Sequence, residues 1–348
     1  AKTFGTGLSE SVTFEGITIY SSPGASYVGW FCSLINVIGC RTILKPGRWQ
    51  TTGADGVHLQ SQRIGPWIEG CVFEAVADDC VNIYTRILPV KSVYGNGFFI
   101  PGVPPNALPG DSIVFFSQLT GAAPKIFPLV ELVEKGAQMR FGEMIPNEPP
   151  LVEPGAWQIY NTSLAGNGYV ILSNTFKDSR RYGLLLKASR GLVEGNVFEG
   201  LSASGITLRN IDNVEGLNCE EVLIRGNVFR ECGFDAEYKK STHIGLVALG
   251  LFQKGNIPAS WQGQKNIRIV ENRFESHYPR SISVRSATQV SILSNRFSIF
   301  ENGSVPPISI SNASKVLVED NKSSEPKNLK GFVESDLTVS ELRMSRNR

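Results

Sequence analysis

Three aspartates, Asp55, Asp78 and Asp79, lie in two short segments of similar pattern and are the residues best suited to do chemistry. The segments are residues 52–60 (TGADGVHLQ) and 77–84 (ADDCVNIY), each with an alternating apolar run after its acids. Like charges placed together raise one another's pKa, so one carboxyl can stay protonated near neutral pH while its neighbours are ionised. Glycoside hydrolysis needs this division, because one acid protonates the leaving oxygen while one or two carboxylates activate water.

The spacing of the two segments predicts that these acids lie together. Aligning Val57 with Val81 places the inward-facing residues in register at an offset of 24 residues, the length of one coil in a stacked β fold. Asp55 and Asp79 then stand on adjacent strands about 5 Å apart, and Asp78 points differently across the same groove. A single Asp at a turn commonly binds backbone amides and has a structural role. Three acids one coil apart favour a catalytic role over the structural one.

Outward-facing polar residues near the acids are the candidates for binding a substrate. Two lie on the first aligned strand, two on the second, one in the link between them, and two on later strands that the same register brings into line. The predicted substrate-binding residues are His58, Gln60, Arg63, Asn82, Tyr84, Lys187 and Arg209. The alternative for Lys187 and Arg209 is a solvated face of the fold, and for His58 a plain surface position. Arg63 could bind sugar hydroxyls or hold an Asp.

A short motif recurs along the chain and predicts the architecture that positions these residues. An apolar alternation and a polar pair precede Asn, any residue and Phe, and successive Asn residues are 22, 31, 45, 23 and 26 residues apart. The copies are centred on Asn174, Asn196, Asn227, Asn272 and Asn295, with a degraded copy at Asn321 and a Cys variant at Cys71. Units of about 22–26 residues with short strands and no helical pattern are typical of a right-handed parallel β-helix. A leucine-rich repeat is excluded because its Leu spacing and helical return are absent.

One proline-rich segment interrupts this repeat. Residues 87–165 hold 11 of the 19 prolines, and the strand-like runs between the turns are Ser112–Gln118, Phe127–Val133 and Ala156–Tyr160. Such a pattern predicts a small antiparallel β-barrel or sandwich inserted between two coils, and we expect it to wall one side of the groove. The predicted organisation is all-β, with coils carrying the acids in 1–86, the insertion in 87–165, further coils in 166–322 and a tail or cap in 323–348.

Composition and charge exclude several classes of function. The chain has 348 residues, with 34 Lys and Arg against 32 Asp and Glu, and this net charge of +2 argues against nucleic acid as the main partner. No run of about 18 apolar residues is present that could span a membrane. Six cysteines without paired spacing and three histidines argue against a disulfide scaffold or a zinc site. The sequence leaves open whether Cys219 and Cys232 are bridged.

The acids and their surroundings resemble glycoside hydrolase family 110. The resemblance rests on Ala-Asp-Gly at 54–56, Ala-Asp-Asp at 77–79 with the apolar-Asn-Ile-Tyr strand that follows, the linking segment 60–74 and, upstream, residues 19–24. This family consists of exo-acting α-1,3-galactosidases built on a β-helix with inserted β-barrel domains. The match is close over residues 15–86 and looser over the insertion and the later coils.

The resemblance implies an activity and a mechanism. A member of this family removes terminal α-1,3-linked galactose from glycans with inversion, and needs neither a metal nor another cofactor. Asp78 would be the general acid, and Asp55 and Asp79 would be the pair that positions water. Family members have a long stretch before this region, so the chain resembles their C-terminal portion. We expect it in an extracellular or periplasmic location.

Three other functions compete with this one. A polygalacturonase has a similar Asp-Asp-Cys-Val run, but its Gly-His-Gly turn is absent and Arg268-Ile269-Val270 lacks the Lys of its Arg-Ile-Lys segment. These differences favour a neutral sugar over pectin. A pectate lyase would need a second acidic cluster to bind Ca²⁺. A glycan-binding β-helix without activity would have no need for three adjacent carboxylates.

Overall fold

Short β-strands that coil around a common axis make up most of the computed structural model. The structure describes residues 1–90, 92–94, 97–99, 103–117, 119–133, 138–141, 157–210, 215–235, 244–253, 257–276, 280–299, 305–324 and 331–348. Three ladders of parallel strands run along the molecule. Successive coils add their strands to these ladders, so residues about one coil apart in sequence become neighbours in space.

The strands of each ladder are as follows. The first ladder contains β1 (Lys2–Gly7), β4 (Ala25–Trp30), β7 (Val57–Gln60), β10 (Val81–Tyr84), β20 (Leu184–Leu186), β23 (Ile206–Arg209), β26 (Val247–Gly250) and β35 (Val333–Ser335). The second contains β2 (Glu10–Glu15), β5 (Ser33–Ile38), β8 (Trp67–Glu69), β18 (Val170–Leu172), β21 (Gly191–Glu194), β24 (Glu220–Arg225), β29 (Gln264–Val270) and β36 (Ser340–Ser345). The long strands β31 (Ile282–Leu293) and β33 (Ile308–Glu319) run through both. The third contains β3 (Thr18–Ile19), β6 (Arg41–Thr42), β9 (Val72–Glu74), β19 (Thr175–Lys177), β22 (Val197–Glu199), β25 (Val228–Arg230), β30 (Arg273–Ser276), β32 (Arg296–Ile299) and β34 (Lys322–Ser323).

The register between coils matches the offset predicted from the sequence. Strand β10 pairs in parallel with β7, with Val57 opposite Val81 and Leu59 opposite Ile83. These four side chains are buried, because alternate residues of each strand point into the coil. On its other side β10 pairs with β20, although the insertion separates these two strands along the chain.

A ladder of buried asparagines joins successive coils at one corner. The side chain of Asn196 is representative, since its Nδ2 donates to Oδ1 of Asn227 and its Oδ1 accepts from Nδ2 of Asn174, both at 3.0 Å. The ladder runs through Asn174, Asn196, Asn227, Asn272, Asn295, Asn321 and Asn347. The Phe two residues after the ladder position stack from coil to coil, from Phe73 to Phe297, with ring centroids 4.8–5.6 Å apart. The motif predicted from the sequence is therefore the repeating corner of the solenoid.

The proline-rich interruption forms a seven-stranded antiparallel sheet in the order β11-β17-β14-β15-β16-β13-β12. Its strands are β11 (Leu88–Pro89), β12 (Ser92–Tyr94), β13 (Gly97–Phe99), β14 (Ser112–Ser117), β15 (Lys125–Val133), β16 (Gln138–Phe141) and β17 (Trp157–Asn161). The three runs predicted from the sequence correspond to β14, β15 and β17, while Gln118 and Ala156 lie outside the described residues. A turn of 3-10 helix, Thr162–Leu164, leads back to the coils, and a short hairpin of β27 (Phe252–Gln253) and β28 (Ile257–Pro258) lies farther along. Buried side chains join the sheet to the coils: Ile87, Val114, Phe116, Tyr160, Leu217, Leu251 and Ala259.

Residues 331–348 add one more coil. Strands β35 and β36 pair in parallel with β33, and Asn347 continues the asparagine ladder. The segment predicted as a tail or cap thus extends the solenoid instead of folding over its end.

All six cysteines are buried and have free thiols, so Cys219 and Cys232 are not bridged. They pack as small apolar side chains in the core of the coils. Within the described ranges we find no helix that is both long and apolar enough to cross a membrane.

Replacing Asn227 with Ala should lower the free energy of unfolding by about 1–3 kcal/mol, because buried polar groups of two neighbouring coils lose their partners. Its Oδ1 accepts from the backbone N of Asn196 at 2.9 Å, and its Nδ2 donates to the carbonyl of Val193 at 3.0 Å. Urea unfolding measures the change. Asn36→Ala, which removes a bond to Thr13 near the surface, is the matched control and should cost less than about 0.5 kcal/mol. Equal losses in both variants would contradict the role given to the ladder.

Candidate functional site

Three carboxylates meet where β7 and β10 begin. Asp55 and Asp79 hold equivalent positions just before these strands, and the backbone N of Asp79 donates to Oδ1 of Asp55 at 3.3 Å. One oxygen from each of Asp55, Asp78 and Asp79 lies within 4.8 Å of the other two. The structure thus brings together the three acids singled out in the sequence.

The environments of the three acids differ. Asp55 and Asp79 are 5% and 3% exposed, whereas Asp78 is partly exposed. Burial raises the pKa of Asp79 well above its usual value, and the charges of Asp55 and Asp78 raise it further. Burial also raises the pKa of Asp55, although the hydrogen bond and charge of His58 oppose this effect. Oδ1 of Asp79 is buried without a hydrogen-bond partner in the described part of the chain, which also favours its neutral form.

A chain of hydrogen bonds leads from Asp55 along the outward face of the two strands. Nδ1 of His58 lies 2.6 Å from Oδ2 of Asp55, and Nε2 lies 3.2 Å from the hydroxyl of Tyr84. That hydroxyl donates to Oε1 of Gln60 at 3.1 Å. Because the single hydroxyl proton of Tyr84 goes to Gln60, the oxygen of Tyr84 accepts from Nε2 of His58.

A second polar cluster adjoins the first on the side of β20. Nζ of Lys187 donates to Oδ1 of Asn82 at 3.0 Å and to Oε2 of Glu215 at 2.6 Å. Lys187 is fully buried, and burial lowers its pKa although the charge of Glu215 opposes this. The ammonium also lies 5.4 Å from the ring centroid of Tyr84. Lys187, predicted to bind substrate, is therefore buried beneath Asn82 and Glu215, and its hydrogen bonds hold these two side chains in place.

Glu215 is a site residue that the sequence did not point to. It belongs to a loop between β23 and β24, and an isolated antiparallel bridge pairs it with Arg86. Its side chain is 16% exposed, so its carboxylate is the accessible end of the Lys187 cluster. Loops have no register to count from, which is why its position could not be derived.

Arg181 is the second such residue, and it contacts the most exposed of the acids. Its Nη1 lies 2.5 Å from Oδ1 of Asp78. Partial burial acts to lower the pKa of Arg181, but the carboxylates of Asp79 and Asp78 outweigh it and raise the pKa above its usual value. The sequence held a signal for this contact, because the register that aligns Tyr84 with Lys187 also aligns Asp78 with Arg181.

Two predicted binding residues contact groups of the protein itself, and their role in binding substrate stays a prediction. Arg63 donates to both carboxylate oxygens of Asp111 in the insertion, at 2.8 and 3.2 Å, and to the carbonyl of Asn106 at 2.6 Å. The guanidinium of Arg209 lies 4.5 Å from the ring centroid of Phe252, next to the short hairpin. Arg63 thus fastens the insertion to the coils, and Arg209 packs on an aromatic ring at a later coil of the first ladder.

The three carboxylates are close enough to share one cation. Two of them already have a basic partner, however, since Asp55 contacts His58 and Asp78 contacts Arg181. Arg181 is close enough to offset part of the negative charge that a metal ion would otherwise neutralise, and Nδ1 of His58 already contacts one oxygen of Asp55. The expectation of a site without a metal stays a prediction.

Comparisons with known proteins agree with this fold. A family model described as a right-handed β-helix region matches residues 159–348. The α-1,3-galactosidase B of Akkermansia muciniphila is 25% identical over 305 residues, which cover 81% of this chain and 36% of that protein. The chain therefore spans about a third of the length of this relative, and the similarity confirms the resemblance that the motifs indicated.

One solved structure shares the architecture, and a second aligns with a lower TM-score. A family 28 exopolygalacturonase from Yersinia enterocolitica aligns with a TM-score of 0.50 and 11% identity, covering 94% of this chain and 44% of that one. A mannuronan C-5 epimerase A-module from Azotobacter vinelandii aligns with a TM-score of 0.45 and 9% identity, covering 97% and 58% of the two chains. At this level of identity the likeness concerns the fold alone.

Asp79→Asn should stabilise the protein at neutral and alkaline pH and change little at acid pH. The folded-state pKa of Asp79 is raised, so its carboxyl is neutral in both states only below the unfolded pKa of about 3.9, and the penalty for burying it grows as the pH rises. The gain at neutral pH should be on the order of 1–3 kcal/mol, since the variant removes a buried group whose charged form is disfavoured.

Thermal unfolding across a series of pH values measures this difference. The matched control is Asp78→Asn, one residue earlier, which removes the partner of Arg181 and should not stabilise the protein. An effect of Asp79→Asn that is independent of pH, or an equal gain in Asp78→Asn, would contradict the assignment of Asp79 as a carboxyl that resists ionisation.

Proposed function

This chain belongs to the right-handed β-helix family, and from that premise we propose that it is a glycoside hydrolase that removes terminal α-1,3-linked galactose from glycans with inversion. The observation that carries the proposal is the cluster of Asp55, Asp78 and Asp79, in which two acids are buried and one is accessible. Similarity to an α-1,3-galactosidase supports the choice of sugar and linkage. We extend the proposal to an extracellular or periplasmic location, where such glycans are met.

The family resemblance makes Asp78 the general acid, and Asp78 is also the most exposed of the three acids. In its protonated form Asp78 gives its proton to the glycosidic oxygen as the bond from that oxygen to C1 breaks. A water molecule attacks C1 from the opposite side, and its proton passes to the pair of Asp55 and Asp79. That pair carries a single negative charge, because two buried carboxylates this close do not both ionise. His58 favours the charge on Asp55, which makes Asp55 the base and leaves Asp79 to orient the water.

Arg181 and Glu215 complete this assignment. Arg181 holds the side chain of Asp78 at the edge of the cluster and compensates its charge when the proton has left. Glu215 and Asn82, supported by Lys187, present polar groups of the kind that bind sugar hydroxyls.

The distances make the stereochemical outcome a demanding test of the proposal. Carboxyl groups are typically about 6.5–9.5 Å apart in inverting glycosidases and about 5–5.5 Å apart in retaining ones. Here the nearest oxygens of all three acids lie within 4.8 Å. Inversion in this cluster requires the attacking water to lie beside the buried acids Asp55 and Asp79. The leaving oxygen must contact Asp78 from the solvent-exposed side of the cluster.

Proton NMR of the first galactose released from an α-1,3-linked galactoside should detect the β-anomer. Asp78→Asn should lower kcat by about 10²–10⁴-fold, the usual contribution of a general acid. The matched control is Asp178→Asn, which replaces an exposed aspartate in the turn after β19 and should leave kcat unchanged.

Initial release of the α-anomer would contradict inversion and would require a covalent intermediate on one of the carboxylates. Absence of galactose release by the intact chain, on both the disaccharide and longer glycans, would contradict the proposed activity.

Arg63→Ala should raise KM for a branched or extended galactoside about tenfold, or about 1.4 kcal/mol, while KM for a small aryl α-galactoside stays the same. The substitution leaves Asp111 without its bidentate partner, so the insertion shifts relative to the groove, whose wall contacts only the part of the substrate beyond the galactose. Steady-state kinetics on both substrates measure the effect. Arg268→Ala, at an exposed position of β29, is the control, and equal changes of KM for both substrates would contradict a role of the insertion in substrate choice.

A further inference from the structure

The outer face of the third ladder carries two columns of side chains with different charge patterns. In one column, near the strand ends, the sign alternates from coil to coil through Glu74, Lys177, Glu199, Arg230 and Glu275. Nζ of Lys177 lies 2.7 Å from Oε1 of Glu74, and Nε of Arg230 lies 3.1 Å from Oε2 of Glu275. In this column, charges that stack in register therefore attract their neighbours.

The other column, two residues earlier on the same strands, places like charges in register. Arg273 lies opposite Arg296, and Arg296 lies opposite Lys322. Arg348 follows in the next coil, since its carbonyl accepts from the backbone N of Ser323. We call these four exposed residues the basic column. Adjacent strands are about 4.8 Å apart, so four positive charges line up along about 15 Å.

The earlier coils do not share this pattern. In the four coils before Arg273 the equivalent positions are uncharged: Val72, Thr175, Val197 and Val228. Arg41 occupies this column one coil earlier still, but its neighbours, Thr18 and Val72, are uncharged. Like charges directly opposite one another destabilise a sheet. The basic column therefore carries a cost that the rest of the ladder avoids, in a chain whose total net charge is only +2.

Neighbouring acids form an ion pair with one of the four column residues. Arg273 pairs with Glu275, and Asp320 pairs with Arg346. Across the described ranges, no ion pair within 4.0 Å includes Arg296, Lys322 or Arg348. Three adjacent cations are thus left to solvent or to a ligand.

A groove runs along each side of the basic column. The larger, of about 810 Å³, is lined by the four column residues, Arg346, Ser294 and Asn347, and by two carboxylates, Glu271 and Asp320. The smaller, of about 450 Å³, is bordered by the first three column residues and by Ser298, Ser323 and Ser324 among others. The aromatic residue in these linings is Phe297, which is 1% exposed.

We propose that the basic column is a binding site for a sulfated glycan chain lying along the axis of the solenoid. A linear polyanion places successive negative groups over the row of cations, and serine and asparagine side chains in the grooves suit sugar hydroxyls. A single-stranded nucleic acid is the less suitable ligand, because such sites use exposed aromatic rings on which bases stack. This binding site is separate from the proposed catalytic site. The three carboxylates lie just before strands β7 and β10 of the first ladder, whereas the basic column lies on the third ladder.

Isothermal titration calorimetry with a heparin octasaccharide tests the site. The intact chain should bind it with an affinity that falls steeply as salt rises, because cations on the protein release counterions from the ligand. The triple variant Arg296→Ser, Lys322→Ser, Arg348→Ser should bind about tenfold more weakly or worse and lose most of the salt dependence. The control Lys265→Ser, Arg268→Ser, Arg343→Ser loses the same charge from exposed positions of β29 and β36 and should bind like the unchanged protein.

A charge reversal separates binding from folding. Arg296→Glu creates alternating signs from Arg273 to Lys322, as in the neighbouring column, so its unfolding midpoint at low salt should rise while heparin affinity falls. A small aryl α-galactoside assay on the same variants should give unchanged rates, which distinguishes failure of this site from failure of the proposed activity.

Four outcomes would overturn the proposal. They are absence of heparin binding, equal binding of fully desulfated heparin, equal loss in the triple variant and its control, and tighter binding of single-stranded DNA that depends on the same three cations. The last result would assign the column to nucleic acid.

Discussion

The parallel backbone ladder between consecutive coils is the constraint on which the rest of the molecule depends. It places Val57 beside Val81 and Leu59 beside Ile83, and so determines that acids about one coil apart in sequence become neighbours. The ladder by itself allows a coil to slip by two residues and still bury an apolar face. The buried asparagines remove that freedom, because each side chain bonds both the side chain and the backbone of the adjacent coil.

Such a rigid register makes an arrangement of acids possible that a flexible loop would not maintain. Three carboxylates repel one another, and a mobile segment would relax by moving them apart. Here the backbone ladder fixes the positions of both acids, and the backbone N of Asp79 donates to Oδ1 of Asp55, so moving the two apart breaks that bond. The basic groups arrive from both neighbours, His58 on β7 and Arg181 on the coil that follows. The stacked coils thus bring the three acids together, and they also supply the basic residues that contact Asp55 and Asp78.

The parts of the fold that repeat are those that could be predicted from sequence. The offset of Asp55 and Asp79 follows from counting one coil, and the Asn-x-Phe corner follows from its recurrence. Glu215 could not be derived, because it lies in a loop whose course depends on the insertion and on the bridge to Arg86. The sequence could not identify Asp111 as the partner of Arg63, because Asp111 is 48 residues away in an insertion that has no register with the coils. Residues 323–348 are mostly polar, which predicts a tail or cap, although Asn347 occupies the ladder position.

The position of the insertion also bears on how the chain folds. The coil that ends in β10 meets its next neighbour, β20, through contacts that are 103 residues apart in sequence, as between Asp78 and Arg181, whereas ladder contacts elsewhere span 22 to 45 residues. Closing the longer loop costs more chain entropy, and contacts distant in sequence form late. The coils before and after the insertion can therefore stack separately, and the seam between them closes last. The three carboxylates and Asn82 lie on one side of that seam, and Arg181 and Lys187 lie on the other. The acids therefore gain these basic partners only when the two halves of the solenoid have joined.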